Sequence, residues 1–313
     1  MKYLVDIFST VFNFNGASYC ILFTITLCIN KHILSSFNFT YPTVLQGWQT
    51  ATTTLIMFLL KSVDREKYKE SVHAPGFTIF APHLVFHVLQ LVTGSKALSL
   101  LPVPVFLCGV NTSEAIINLV LKSDNRFINL IGASVILTSG IVLLWKYYEL
   151  TKVGACVWFV AYIVVFTADS LYCGLVDMKV NRLSRLFYIN LFSAITLFPL
   201  SVVSEEIYEA VEFGWTKGAL FSMCFVTSGV CTGITQLLAL QLQLQSAGGS
   251  RRASTAALLL SACCAHALFV ERTFASPLFH LVFVNLASNL LLFSPAPDHS
   301  VFGEYTKLEL ELV

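Results

Sequence analysis

Apolar segments of about 20 residues follow one another along the whole chain, and their length constrains the fold more than any other feature. They lie at 16–34, 42–60, 77–93, 102–121, 127–145, 154–175, 186–203, 218–240, 253–270 and 277–293. Each is long enough to cross the hydrocarbon core of a bilayer as a helix. The sequence therefore predicts an all-α polytopic membrane protein with ten transmembrane helices.

The composition fits this class. Hydrophobic residues make up 56% of the 313 residues and charged residues only 12%, whereas a soluble domain carries about 25% charge. The net charge of +1 gives no reason to expect a nucleic-acid partner, and membrane lipids are the expected surroundings. The longest connections, 61–76 and 204–217, are too short for a soluble catalytic domain. We therefore expect one membrane domain over residues 1–313, with its function inside the bundle.

Ten spans divide into two sets of five, and an odd number per set gives the two halves opposite orientations. This is the arrangement of an inverted repeat, in which two halves rock around a central site. The expected repeats are residues 16–145 and 154–293, followed by a cytosolic tail at 294–313.

The basic residues predict the orientation. Thirteen of the 19 Lys and Arg residues fall on the side of the N-terminus, of the tail and of the connections after spans two, four, six and eight. Because basic residues accumulate on the cytosolic side, both termini are expected in the cytosol. The acidic cluster Glu205, Glu206, Glu209 and Glu212 then lies on the lumenal side, where we expect a solvated face.

Small residues predict close helix contacts. Gly229 and Gly233 have the four-residue spacing that lets two helix backbones approach each other. Gly132 and Gly140 in span five are expected to do the same.

Ionisable residues at membrane depth are costly and suggest function. Glu114 in span four and Asp169 in span six are the main candidates. Asn111 begins the polar stripe that ends at Glu114, and Asn118 lies one helical turn further on. The alternative is that these groups pair with each other or reach the headgroups, which holds also for Lys31 and Lys96 at lumenal span ends.

Metal and catalytic sites are not expected. His83 and His87 have the i, i+4 spacing of metal ligands, but no carboxylate or further His lies near them in the sequence. The nine Cys residues fall in apolar runs without a CxxC pair, which argues against a disulfide framework or a zinc site. No catalytic, Walker or dinucleotide motif occurs, so we expect neither an enzyme nor a cofactor.

The segment 187–190, Phe-Tyr-Ile-Asn, lies near the cytosolic mouth of span seven. An aromatic ring such as Tyr188 can stack on a flat base, and the amide of Asn190 offers a donor and an acceptor. The alternative is an interface anchor, the common role of Tyr at a membrane helix end.

Several motifs resemble one family. The region of spans one and two contains Asn30-Lys31, Tyr41-Pro42 and the segment Gln46-Gly-Trp-Gln49. It resembles the corresponding junction of nucleotide-sugar transporters in the drug/metabolite transporter superfamily. The segment 94–106 resembles their hairpin between spans three and four, and 187–190 is similar to the FYNN motif of the GDP-mannose-transporter-like group. The resemblance covers about residues 17–240.

Two departures bear on what this resemblance implies. The FYNN motif supplies paired Asn side chains to guanine, and Ile189 replaces the first of them, which favours UDP- over GDP-linked sugars. The family's GALNK motif, whose Lys approaches phosphate, has no counterpart in 253–270. Arg251 and Arg252 are the cations expected in its place, although they also fit ordinary positive-inside flanking residues.

The resemblance thus implies an antiporter that moves a UDP-sugar, with UDP-N-acetylglucosamine first, from the cytosol into the Golgi lumen in exchange for UMP. The alternatives are a GDP-mannose transporter, a membrane-embedded transferase or a non-transporting regulator. A homodimer is left open, and the tail lacks a dilysine retrieval signal, which favours Golgi residence. The expected substrate-binding residues are Tyr188, Asn190, Lys31, Lys96, Asn111, Glu114, Asn118, Arg251 and Arg252.

Overall fold

Helices form nearly all of the chain that the computed structural model describes, namely residues 14–63, 77–121, 127–150, 153–176, 180–245, 247–269 and 276–289. In chain order they are α1 (Phe14–Lys31), α2 (Pro42–Val63), α3 (Phe77–Leu100), α4 (Val103–Leu121), α5 (Phe127–Leu150), α6 (Val153–Leu175), α7 (Arg182–Val203), α8 (Glu206–Lys217), α9 (Ala219–Gln245), α10 (Ala247–Leu268) and α11 (Ser276–Ser288). A π-helical turn, His32–Ser36, follows α1. No strand occurs in these ranges, so the all-α prediction is confirmed for them.

Within the described ranges, seven helices are long and apolar enough to cross a membrane: α1 with its π-helical turn, α3, α4, α5, α6, α7 and α9. The polytopic prediction is thereby confirmed, and the number of ten spans stays a prediction. α11 contributes only the short apolar stretch Leu278–Ser288. α2 and α10 carry polar residues such as Gln49, Thr53, Thr255 and Ser261, all of which are buried against other helices.

The segment from Ser204 to Lys217 was expected to be a connection with a solvated acidic face. Most of it forms α8. Its exposed acidic residues, as expected of a solvated face, are Glu205, Glu209 and Glu212. Ala210 and Phe213 are three residues apart and face the core, while Glu206 and Glu209 lie in the first turn, where acidic side chains favour a helix. Thr43 donates a hydrogen bond to Glu206, which ties α8 to α2. The acidic residues lower the average hydropathy of this segment, so its apolar face was not recognised from the sequence.

α10 begins at Ala247 and not at 253, so its first turns include the basic pair. Arg251 and Arg252 are therefore helical residues that project from α10, and they do not lie in a connection before it. Their positions around the helix axis differ by about 100°, the rotation per residue of an α-helix. The two side chains consequently face different neighbours.

The packing joins helices that are distant from one another in the chain. α1 packs against both α9 and α10, and α3 packs along α6. α2 and α7 pack against each other, and α4 contacts α5, α6, α10 and α11. Buried residues such as Ile33, Leu101, Leu107 and Leu286 join these helices in one apolar cluster.

Glycines allow α9 to approach α2 closely, as the Gly229 and Gly233 spacing predicted. A Cβ at 229 would lie 2.6 Å from Nε1 of Trp48, and one at 233 would lie 3.4 Å from the backbone Cα of Thr53. At Gly140 a Cβ would meet the Thr112 hydroxyl of α4 at 2.7 Å. Side chains at these positions would force the helices apart.

Replacing both Gly229 and Gly233 by Ala should therefore destabilise the protein, by about 1–3 kcal/mol per overpacked site. The measurement is thermal unfolding of the purified protein in detergent. Gly154→Ala is the matched control, because a Cβ there meets no atom within 4 Å. Equal melting temperatures for the double variant and the control would contradict the close α2–α9 contact.

Candidate functional site

Glu114, a half-buried residue of α4, lies at the centre of the candidate site. Glu114 accepts a hydrogen bond from Nδ2 of Asn289, at 3.1 Å, just beyond the end of α11. Arg251 on α10 interacts electrostatically with the same carboxylate. α4 therefore meets α10 and the end of α11, which come much later in the chain, at one carboxylate.

Two tyrosines lie around this carboxylate. Tyr19 of α1 and Tyr162 of α6 are both buried and within electrostatic range of Glu114. The Tyr19 hydroxyl is hydrogen-bonded to Ser254 of α10. The Tyr162 hydroxyl is hydrogen-bonded to Gln90 of α3, and its ring stacks on Phe106. Two aromatic residues with polar ends thus lie near Glu114.

Arg251 itself is exposed, although the carboxylate that it faces lies inside the bundle. It projects from the second turn of α10, next to Ser250 and Ala253, which are buried. A guanidinium offers five donors in a planar fork, which matches carboxylates and phosphates alike. An anionic ligand that arrives at this end of α10 can therefore contact Arg251 and compete with Glu114 for it.

The expected residues Asn111 and Asn118 differ in their surroundings. Asn111 is fully buried and donates from Nδ2 to the backbone oxygen of Asn285, at 2.8 Å, and to its Oδ1, at 3.1 Å. Asn285 in turn donates to Ser139 of α5, so this network packs α4, α5 and α11 together. Asn118 is half-buried and donates to the backbone oxygen of Glu114, at 2.9 Å.

Asn190 faces the interior of the bundle from α7. Its Nδ2 donates to Oε1 of Gln236 on α9, at 2.9 Å, and to the Leu186 carbonyl. Its Oδ1 and the Oγ of Ser193, one turn further on, are buried without a hydrogen-bond partner in the described part of the chain. Tyr188 is half-buried and packs edge-on against Phe187. Residues two apart do not share a helix face, so Tyr188 and Asn190 point in different directions.

The two lysines also differ. Lys31 ends α1 and is buried; its ammonium donates to the carbonyls of Leu98 and Leu101, at 3.1 and 2.7 Å. These carbonyls close the C-terminal end of α3, where a positive charge is favoured by the helix dipole. Lys96 lies one turn before the end of α3 and is partly exposed.

Several interior polar residues were missed by the sequence reasoning. Asn289 and Asn285 lie four residues apart at the end of the last apolar run, a spacing that could have indicated a polar face. Asn30 accepts hydrogen bonds from Gln49 of α2 and Ser228 of α9, which ties three helices together. Asn30 and Gln49 belong to the motifs on which the family resemblance was based, but nothing in the sequence paired them.

Two curated proteins are similar to part of this chain. One is the "UDP-N-acetylglucosamine transporter TMEM241 homolog" of Xenopus laevis, 33% identical over 101 residues. The other is the "UDP-N-acetylglucosamine transporter TMEM241" of Mus musculus, 34% identical over 101 residues. The match covers 32% of this chain and 34% of each relative, so the chain spans about a third of the length of the curated relatives that it matches.

These similarities confirm the resemblance to nucleotide-sugar transporters that the motifs predicted, over the matched third. Both relatives are named as transporters, which agrees with the expectation that the chain is not an enzyme. No protein-family model matches the chain.

The pairing of Glu114 with Arg251 predicts non-additive effects on stability. Glu114→Gln and Arg251→Gln should each lower the melting temperature, and the double variant should lose less than their sum, with a coupling of about 0.5–3 kcal/mol. Thermal unfolding of the four proteins in detergent measures this. The control cycle uses Arg252→Gln with Glu114→Gln, since Arg252 is not among the groups that act on Glu114. Additive losses in the first cycle would contradict the pairing.

Proposed function

We propose that this chain is a nucleotide-sugar antiporter that carries a UDP-sugar, UDP-N-acetylglucosamine first, into the Golgi lumen in exchange for UMP. The observation that carries the proposal is an arginine within electrostatic range of a half-buried carboxylate in a membrane helix bundle, in a chain similar to proteins named as UDP-N-acetylglucosamine transporters. A nucleotide diphosphate cannot cross hydrocarbon unaided. It needs an interior cation and polar groups for its base and sugar.

Arg251 is the cation that we assign to the phosphates, with Arg252 beside it. Glu114 holds Arg251 in the absence of ligand, and a bound phosphate replaces the carboxylate as its partner. Such an exchange of partners lets the ligand interact differently with two states of the carrier, as ligand-driven switching requires. Asn289, whose Oδ1 is buried without a partner among the described residues, and Asn118 lie beside Glu114 as polar groups for the sugar.

Ten spans in two inverted five-helix repeats remain our proposal for the architecture. The repeats would be α1–α5 and the set α6, α7, α9, α10 and α11, with α8 outside them. The packing supports this scheme: α1 lies on α9 and α10 as α6 lies on α3 and α4, and α4 meets α5 as α10 meets α11. Glu114 and Arg251 then lie on equivalent helices, where the two halves meet.

We propose that Asn190 contacts the base. Its Nδ2 is held by Gln236, so its Oδ1 is oriented and accepts a hydrogen bond from a ligand. The N3–H of uracil is a donor, whereas N3 of cytosine is an acceptor. Tyr188 lies on a different side of α7 from Asn190. It would therefore stack on the base only if the base extends to that side of the helix. The side chain of Ile189 offers no amide for a guanine edge, which disfavours the GDP-mannose alternative.

Lys96 is our second candidate for phosphate, because it is partly exposed at the end of α3. Lys31 donates hydrogen bonds to the carbonyls at the end of α3. It therefore affects substrate binding by holding that helix end in position. For Asn111 the contacts with Asn285 support a role in holding the α4 wall of the site. We propose that both termini and the tail 294–313 lie in the cytosol, which the distribution of basic residues supports. Residues 1–13 and 290–313 lie outside the described ranges.

Uptake into proteoliposomes tests the proposal. Purified protein preloaded with UMP should accumulate labelled UDP-N-acetylglucosamine in preference to GDP-mannose and CMP-sugars, and the label should remain attached to the intact nucleotide sugar. Hydrolysis or transfer of the sugar would favour the transferase alternative. Absence of exchange with every nucleotide sugar, in protein that is folded and inserted, would favour a regulator.

The two arginines should differ in this assay. Arg251→Gln should weaken nucleotide-sugar affinity roughly 10- to 150-fold, because it removes hydrogen bonds to a charged phosphate worth about 1.5–3 kcal/mol. Arg252→Gln, the matched control on the next residue, should have a smaller effect. The measurement is the concentration of UDP-N-acetylglucosamine that gives half-maximal uptake. Equal effects, or a larger one at Arg252, would contradict our assignment of Arg251.

Asn190→Ala should reduce both affinity for uridine nucleotides, by roughly 5- to 150-fold, and the preference for UMP over CMP as competitor. The second effect distinguishes base contact from general damage to α7. Asn181→Ala is the control, because Asn181 only caps α7 by accepting from the Leu183 backbone amide. An unchanged ratio of UMP to CMP competition in Asn190→Ala would show that the base is bound elsewhere.

A further inference from the structure

A second polar cluster lies between α3 and α6, apart from the Glu114 site. His83 Nδ1 is 2.7 Å from Oδ1 of Asp169 and 3.2 Å from Sγ of Cys173, and the last two atoms are 3.9 Å apart. His83 and Asp169 are buried, with side-chain exposures of 7% and 9%, and Cys173 is half-buried. The three atoms belong to three different classes of metal ligand.

The helix geometry brings these atoms together. Asp169 and Cys173 are four residues apart on α6 and therefore share one face of that helix. His83 comes from α3, which packs along the same face of α6. No local motif could have indicated the cluster, since His83 lies 86 residues before Asp169 in the chain.

The distances fit a first-row metal ion after a small outward shift of the thiol. A point equidistant from three atoms with these separations lies about 2.0 Å from each, close to the bond lengths of Zn²⁺ to His and carboxylate, whereas a Zn–S bond of about 2.3 Å requires Sγ of Cys173 to move away by about 0.3 Å. Neither His83 nor His87, one turn further along α3, has its Nε2 hydrogen-bonded within the described ranges. Imidazole, carboxylate and thiolate together are a ligand set that suits Zn²⁺ rather than Mg²⁺ or Ca²⁺.

The charges of the ligands also favour Zn²⁺. A neutral imidazole, a carboxylate and a thiolate together neutralise a dipositive ion, so the filled site carries no net charge into the apolar surroundings. Cys173 would release its thiol proton on binding the ion, because the thiolate is the form that binds metal.

We propose that His83, Asp169 and Cys173 bind one Zn²⁺ ion and thereby fasten α3 to α6. Three protein ligands leave a fourth position for water or for His87. The site lies in the first turns of α3 and the last turns of α6, at the end of the bundle that the basic residues place on the cytosolic side. This proposal does not rest on the transport function.

Cobalt substitution of the purified full-length protein tests the site. Co²⁺ added to metal-stripped protein should give the charge-transfer absorption of a thiolate ligand, and one equivalent of Zn²⁺ should abolish it. Cys173→Ser should lose this absorption, whereas Cys263→Ser, which alters an exposed cysteine outside the cluster, should retain it. Identical spectra for the two variants would overturn the proposal.

Zinc affinity and stability supply a readout that does not depend on cysteine alone. Asp169→Asn and His83→Gln should weaken zinc binding by more than the roughly 10- to 100-fold typical of losing an outer-shell partner. Zn²⁺ should raise the melting temperature of the unmodified protein and of Cys263→Ser, but not that of the three ligand variants. If the unmodified protein binds no more zinc than Cys173→Ser does, the cluster is a metal-free His83–Asp169 ion pair and the proposal is wrong.

Discussion

The carboxylate of Glu114 lies inside a bundle of apolar helices, where an unpaired negative charge is costly. Its neighbours meet this constraint: Asn289 donates a hydrogen bond to it, and Arg251 supplies a positive charge. The pairing requires α4, α10 and the end of α11 to converge, and Tyr19 and Tyr162 then lie around the same carboxylate. Because Arg251 remains exposed, the group that balances Glu114 is also one that an anion from solution can reach.

Asn side chains form several of the other hydrogen bonds between helices. Hydrophobic residues alone discriminate poorly between partner helices in a membrane, so hydrogen bonds between helices and close contacts at small residues fix which helices meet. Asn30 joins α1 to α2 and α9, and Asn111 and Asn285 join α4, α5 and α11. Asn111 and Asn190 each have an Oδ1 that is buried without a partner among the described residues. We assign Asn190 to the ligand because the hydroxyl of Ser193, one turn further along α7, is also buried there without a partner.

The sequence predicted the helices well and the site only in part. Apolar length located every helix but α8, whose acidic residues lowered the average hydropathy and concealed its apolar face. Gly229 and Gly233 were predicted correctly because their spacing alone specifies a close contact. Glu114 was identified because a carboxylate at membrane depth costs free energy. Its partners Asn289 and Arg251 were not identified, since they lie far from Glu114 in the chain. The cluster of His83, Asp169 and Cys173 could not be predicted for the same reason.

The central claim is that Glu114 and the phosphates of the substrate compete for Arg251. Equilibrium binding of UMP and UDP-N-acetylglucosamine to purified Glu114→Gln protein, compared with the unmodified protein, tests it most directly. If the claim is correct, removing the carboxylate charge leaves Arg251 to the ligand and both nucleotides bind more tightly, although the ligand-free variant is less stable. Weaker or unchanged binding by a folded Glu114→Gln variant would contradict it.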